Sequence, residues 1–337
     1  MHPLASPRRR PGSFNHCIRR RSDPGLRRGD GKERILYALL LPLLLSGCSS
    51  GPAIVPDGIV SANPCIDAVL AEIAAPGQIA AVSAFSHKAD SASAPLAWAR
   101  KHPAVGITAE EIIAARPRIL LTGNLASAGT NAALTKAGVK MITFGVPATI
   151  QESLSQVRQV SHAIGREAAG EALVGRIEAA LPVPLPLAGG VRGGSETTQG
   201  ALIWQAGGFV AGKGTLQDEL LARTGFSNAS ETYGLEQWEQ LPLETVIRKP
   251  PAVIFMASSA DGDEARTLAM RKRMIARLGG KTRIIWFPDK LLFCGGPTII
   301  EVMRVLKQTR HPGGGRGQPD VSRSLPATPA SAGVTGI

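Results

Sequence analysis

From residue 59 to residue 308 the chain alternates short apolar runs with segments of helical period. Ile59–Ala62 reads as a strand and Pro64–Ala74 as a helix with proline in its first turn. Ile79–Val82 is the next strand. Thr108 stands at a helix start with Glu111 at capping-box spacing, and that helix runs to Ala115. Strand Ile119–Thr122, helix Gly129–Ala137 (stopped by Gly138) and strand Val139–Phe144 follow. Residues 149–181 keep helical spacing through Ile150, Leu154, Val157, Ile164, Ala168 and Ile177, with no proline and with Gly165 as a point of bending. A helix of about 30 residues would be roughly 45 Å long, more than one small lobe needs. After a Pro- and Gly-rich stretch to Gly200 the alternation restarts. Strand Leu202–Gln205, helices Thr215–Arg223 and Leu243–Lys249, strand Val253–Ala257, helix Ala265–Leu278, strand Arg283–Phe287 and helix Thr298–Gln308 follow in order. The pattern predicts an α/β protein with mainly parallel sheets, built as two Rossmann-like lobes joined by a single long backbone helix. The first lobe is residues 58–148, the helix is 149–181, the linker and second lobe together are 182–310, and residues 311–337, almost without apolar pattern, read as a disordered tail.

Upstream of the lobes, an apolar run of 11 residues, Ile35–Leu45, follows Arg34 and ends in Leu45-Ser46-Gly47-Cys48. A basic flank, a short apolar core and small residues before a cut describe an export signal. The run is too short to span a bilayer as a helix. Cys after Leu-Ser-Gly resembles a bacterial lipobox, which implies cleavage before Cys48, a lipid on its thiol and residues 1–48 as n-region plus signal. Ser49 carries no retention signal of the Asp type, which favours an outer-membrane anchor facing the periplasm. Residues 1–34 supply +7 of the formal +12 charge. A basic arm of this kind could bind nucleic acid. It has only one aromatic, Phe14, and precedes the cut, so it reads as an extended n-region or an over-long start. The lobes are only mildly basic, and nucleic acid is not an expected partner.

The two lobes share a unit. Glu110-Glu111-Ile112-Ile113-Ala114-Ala115-Arg116-Pro117 before strand 119–122 lies over Glu244-Thr245-Val246-Ile247-Arg248-Lys249-Pro250-Pro251 before strand 253–257. Each copy reads as a short helix that a proline turns out into a strand. Each Glu stands seven residues before its proline. With Ser61-Ala62-Asn63-Pro64-Cys65 opening the first lobe, the loop Gly208–Thr215, and Cys294-Gly295-Gly296-Pro297, the chain resembles substrate-binding proteins of ABC importers, of the kind that carries cobalamin, iron–siderophores or haem. The resemblance spans roughly residues 58–308. It implies a ligand cleft between the lobes, a monomeric, non-enzymatic receptor, and a permease with its ATPase as partners. It also places Glu110 and Glu244 where cobalamin-type members carry one docking Glu per lobe. Two exposed carboxylates can orient a two-lobed body on a twofold-symmetric partner.

The same resemblance places Phe85 and Trp238 at aromatic positions of the cleft. Phe209 and Phe293 lie on loops after strands, where clefts of such folds are lined. Four aromatics there suit a flat or macrocyclic ligand: cobalamin, haem or a ferric siderophore. His87, on the Phe85 loop, is a candidate ligand or metal contact. Cys65 and Cys294 come from opposite lobes. A disulfide tying the lobes, two thiols on a soft metal centre, and two unrelated buried cysteines all remain open. No HExxH, paired CxxC or clustered His/Asp/Glu points to a metal carrier, and no resident cofactor is expected. Gly207 to Lys213 has the setting of a phosphate-binding loop but presents Gly214 where a Ser or Thr is needed. An exported enzyme on the same scaffold, a hydrolase or a metal-dependent ligase, would need a catalytic constellation, and no Ser/His/Asp set can be argued from the sequence. A sensory or structural lipoprotein that keeps the lobes without transport is the remaining class.

Overall fold

The computed structural model describes residues 58–310 except 90, 125, 183–197, 259–272, 274, 275 and 279. The signal segment with Cys48, most of the linker, most of the helix expected over 265–278 and the tail 311–337 lie outside the described residues, which all fall in one compact unit.

The first lobe is a five-stranded sheet in the order β3-β2-β1-β4-β5, and every pairing is parallel. Its strands are β1 (Ile59–Ser61), β2 (Ile79–Ser83), β3 (Ala104–Val105), β4 (Ile119–Gly123) and β5 (Met141–Phe144). Its helices are α1 (Pro64–Ile73), α2 (Leu96–Ala99), α3 (Ala109–Ala114) and α4 (Ala128–Lys136). Asn63 caps α1, its Oδ1 accepting the Cys65 N–H at 2.9 Å, and Pro64 supplies the first turn.

The span expected as one helix over 149–181 is helical in two pieces, α5 (Ile150–Ala163) and α6 (Glu167–Ala180). Gly165 does more than bend it. At φ +69° it takes the left-handed conformation, and the Arg166 N–H bonds back to Ser161 O at 2.8 Å. α6 then folds back on α5. Arg158 pairs with Glu171 at 2.8 Å, and a Cβ on Gly170 would lie 2.2 Å from Ser161 Oγ. Among the described residues α6 is the helix that leads from the first lobe toward the second. It is tied to α1 by Arg176–Glu72 (2.7 Å) and to the last helix by Lys307 Nζ donating to Ala180 O (2.7 Å).

The second lobe holds β6 (Gln199–Trp204), β7 (Phe209–Ala211), α7 (Leu216–Arg223), β8 (Phe226–Asn228), β9 (Trp238–Gln240), α8 (Leu243–Arg248), β10 (Val253–Ser258), β11 (Arg283–Pro288) and α9 (Thr298–Arg310). Its sheet runs β11-β10-β6-β7-β9, with β8 beside β6. The parallel set β8-β6-β10-β11 repeats β2-β1-β4-β5 of the first lobe. β7 and β9 are antiparallel additions that hydrophobic patterning did not reveal, since each is three residues long.

Alternation sorts each sheet into two faces. Ile59, Ile119 and Leu121 in the first lobe, and Ile203, Val253 and Phe255 in the second, belong to one continuous core with α1, α5, α6, α7 and α9. The other faces are separate: Val60 and Leu120 under Ile112 of α3, and Leu202, Trp204 and Ile254 under Val246 of α8. The repeated helix therefore covers the same face of each lobe.

Candidate ligand cleft

The lobes meet along a seam that begins at a disulfide between Cys65, in the first turn of α1, and Cys294, in the loop before α9. Of the three fates open to these cysteines, the structure selects the tie between lobes. Around it the loop 289–297 of the second lobe sits tightly on the first. Ser93 Oγ donates to Lys290 O at 3.2 Å, and the Gly296 N–H donates to Ser153 Oγ at 2.6 Å. A Cβ on Gly295 would lie 2.4 Å from Ser153 Oγ and 3.1 Å from Pro147. On α7, Glu219 Oε2 accepts the Ile150 N–H at 2.7 Å.

Phe85 stands on the 3-10 turn Ala84–His87 that follows β2, and Phe293 directly precedes Cys294. Both are exposed, Phe293 by 52%. Ser93, on the loop that continues from Phe85, also reaches Cys294 Sγ at 3.0 Å, so the two aromatic loops abut across the seam. The Lys88 ammonium lies 5.5 Å from the Phe85 ring centroid. Phe209 and Trp238 form a second pair. Ala211 faces Trp238 in the antiparallel β7–β9 register and Phe209 faces Gln240, so all four share the sheet face that carries the common core. Phe209 is exposed there and Trp238 is half-buried against the core. Trp204 is fully buried, and Trp98 and Trp286 are half-buried.

His87 Nε2 lies 3.1 Å from both Ala99 O and His102 O, so that ring nitrogen is held by the backbone of its own lobe. Among the described residues no group of three or more His, Cys, Asp or Glu could hold a metal ion. The phosphate-loop resemblance also dissolves. Gly212 is needed because its backbone closes on the residue just before β9, where its N–H meets Gln237 O at 2.5 Å and a Cβ would strike the same atom.

Glu110 and Glu244 are both exposed, in the first turns of α3 and α8. Glu111, not Glu110, folds back over Gly106. Sequence reasoning missed Val146, which is 76% exposed on the loop after β5. The signal was an apolar residue between Gly145 and Pro147 at the carboxyl end of a strand. A hollow of about 250 Å³ opens beside it, lined by Thr143, Glu152, Gln156 and Gln159 among others.

Two α/β lobes with matching strand orders, one connecting helix and exposed aromatics on the seam define a two-lobed binding protein. The chain belongs to the periplasmic binding protein family, which it matches over residues 59–278. The family and its solved relatives are solute-binding proteins. Among curated proteins none matches the chain. A periplasmic heme-binding protein from Pseudomonas aeruginosa is similar at 21% identity and a TM-score of 0.60, covering 77% of this chain and 94% of that one. The apo periplasmic heme-binding protein RhuT from Roseiflexus sp. RS-1 is similar at 20% identity and 0.58, covering 76% and 100%. The molybdate-bound periplasmic binding protein MolA from Haemophilus influenzae is similar at 15% identity and 0.55, covering 76% and 86%. These likenesses fix the fold.

Proposed function

We propose that this receptor binds a flat or macrocyclic ligand of the haem, iron-chelate or cobalamin class between its lobes and hands it to an ABC permease and its ATPase. The observation that carries the ligand class is the exposure of Phe85, Phe209 and Phe293 at strand ends and loops of both lobes, with the half-buried Trp238 on the strand paired to that of Phe209. Large apolar faces left in water at a seam find cover in a ligand of matching shape. The haem-binding proteins among the similar structures support the same class, while the molybdate carrier shows how far ligands range on this fold. Glu110 and Glu244 dock the two lobes on the permease, and Cys48 anchors the receptor to a membrane through its lipid, the outer membrane where there are two. The receptor works as a monomer.

Titration of the purified protein with haem, cyanocobalamin and a ferric siderophore, read by Trp fluorescence and by ligand absorbance, tests the ligand class. Saturable binding of one of them is expected. A folded sample that answers to none refutes the class. For the anchor, Cys48→Ala should leave an unlipidated, poorly processed precursor. Unchanged lipid labelling in that variant removes the lipoprotein reading.

A further inference from the structure

Among the described residues Asp67 is the one charged side chain in the buried set, and it sits beside the turn that carries Phe85. Its Oδ2 accepts the Ser83 N–H at 2.9 Å and the Ser86 hydroxyl at 2.6 Å. Ser83 closes β2 and Ser86 lies inside the 3-10 turn, so one carboxylate grips the turn at both ends. Ser83 Oγ in turn accepts the Phe85 N–H at 3.3 Å, and Ser91 Oγ donates to Phe85 O at 2.8 Å. The Ser61 hydroxyl donates to Asn63 O at 3.2 Å and is also within reach of the carboxylate, whose Oδ1 otherwise has no partner.

An acid in a lobe core without a cation needs a reason, because burying it costs free energy that an apolar residue would not. We propose that Asp67 is a positioning residue for the ligand cleft: through Ser83 and Ser86 it fastens the turn that presents Phe85 to the ligand. This rests on the reading of Phe85 as a ligand contact. The carboxylate form holds the turn best, since hydrogen bonds to an ionised acceptor are shorter and stronger than neutral ones.

The surroundings make the grip sensitive to pH. Burial pushes the Asp67 carboxyl up to about 7, against the opposing pull of Ser61, Ser86 and Ser83. No charged neighbour contributes to that shift. His87 points to the Ala99 and His102 carbonyls, Arg100 reaches His87 O and Lys88 lies over the Phe85 ring. At the far end of α1, Arg166 donates to Ile73 O and Arg176 pairs with Glu72.

The test has two arms on the full-length protein. Without ligand, the Asp67 carboxyl carbon and the Ser83, Phe85 and Ser86 amides are followed by NMR from about pH 5.5 to 8.5. One shared midpoint is expected, with all amide shifts flat in Asp67→Asn. With ligand, haem and cyanocobalamin affinities are measured for wild type, Asp67→Asn and Phe85→Ala across the same range. Asp67→Asn should bind about tenfold more weakly than wild type at pH 8, and the gap should close toward pH 5.5. Comparing the two proteins at each pH cancels any titration of the ligand. Turn amides that ignore the Asp67 titration, or equal affinities of wild type and Asp67→Asn at every pH, overturn the proposal and leave Phe85 as a ligand contact. Unchanged affinity in Phe85→Ala overturns the reading of Phe85, and with it the link from Asp67 to the ligand, even where the amides titrate together.

Discussion

Asp67 also has a consequence for stability that does not involve a ligand. Its carboxyl is raised from 3.8 to about 7 in the folded state. Between those values the folded protein holds a proton that the unfolded chain has released. Stability from this group is therefore fully present below about pH 4, falls as pH rises, and levels off above about pH 7. The loss is roughly 4 kcal/mol across the window. Urea unfolding of wild type and Asp67→Asn from pH 4 to 8 should show that slope in the first and not in the second; matching slopes would assign the effect elsewhere. Trp238 makes the residue-scale prediction for the ligand. Trp238→Ala should weaken haem or cobalamin binding by about 1–3 kcal/mol, the range for losing a well-buried aromatic contact. Affinity unchanged in a folded variant would move Trp238 from the cleft to the core. At this scale the sequence was a partial guide. It marked Phe209 and Phe293 as large apolar residues on loops after strands, and Phe85 through the resemblance, and all three are exposed. It could not mark Asp67, because nothing in Ile66-Asp67-Ala68 says that the acid points inward. Nor could it show that His87 Nε2 is held by the backbone, because the carbonyls that hold it belong to residues 99 and 102.

Elements with strong period were legible almost to the residue, and those held together by tertiary approach were not. α1, β2, β4 and α7 stand where apolar spacing and caps put them. The break between α5 and α6 was hidden because apolar spacing runs on through Ile164 and Ala168, while the glycine conformation that reverses the chain is decided by what α6 packs against. Gly165→Ala tests this junction. With φ at +69° and nothing within 4 Å of an added Cβ, the variant meets backbone strain but no clash. It should lose about 1 kcal/mol in a thermal or urea melt. Stability equal to wild type would mean that the reversal tolerates an ordinary residue. Gly295→Ala is the contrasting case. Its Cβ would meet Ser153 Oγ and Pro147 across the seam. Overpacking of this kind costs about 1–3 kcal/mol and should loosen the loop that holds Phe293.

Among the described residues a disulfide, a continuous core and α6 all join the lobes, and we expect any opening to be a small rotation about that seam rather than a wide hinge. A body that moves little presents a nearly constant surface to its partner. On that surface Glu110 and Glu244 occupy equivalent places, each exposed in the first turn of a helix that covers the outer face of its sheet. The buried residue two places on, Ile112 or Val246, fixes each helix. Reversing the charges should therefore leave both helices seated. Glu110→Arg with Glu244→Arg should abolish uptake of the bound solute while solution affinity stays within about twofold of wild type. Like-charge contact at an interface costs several kcal/mol, and two symmetric sites would both be repelled by basic residues on a permease. Either reversal alone should reduce uptake less, since the other lobe still engages. Normal transport by the double variant would make these ordinary solvated acids at helix starts. Loss of ligand binding along with transport would put one of them at the cleft, because charge change at a surface remote from the ligand has no route to its affinity in a body this rigid.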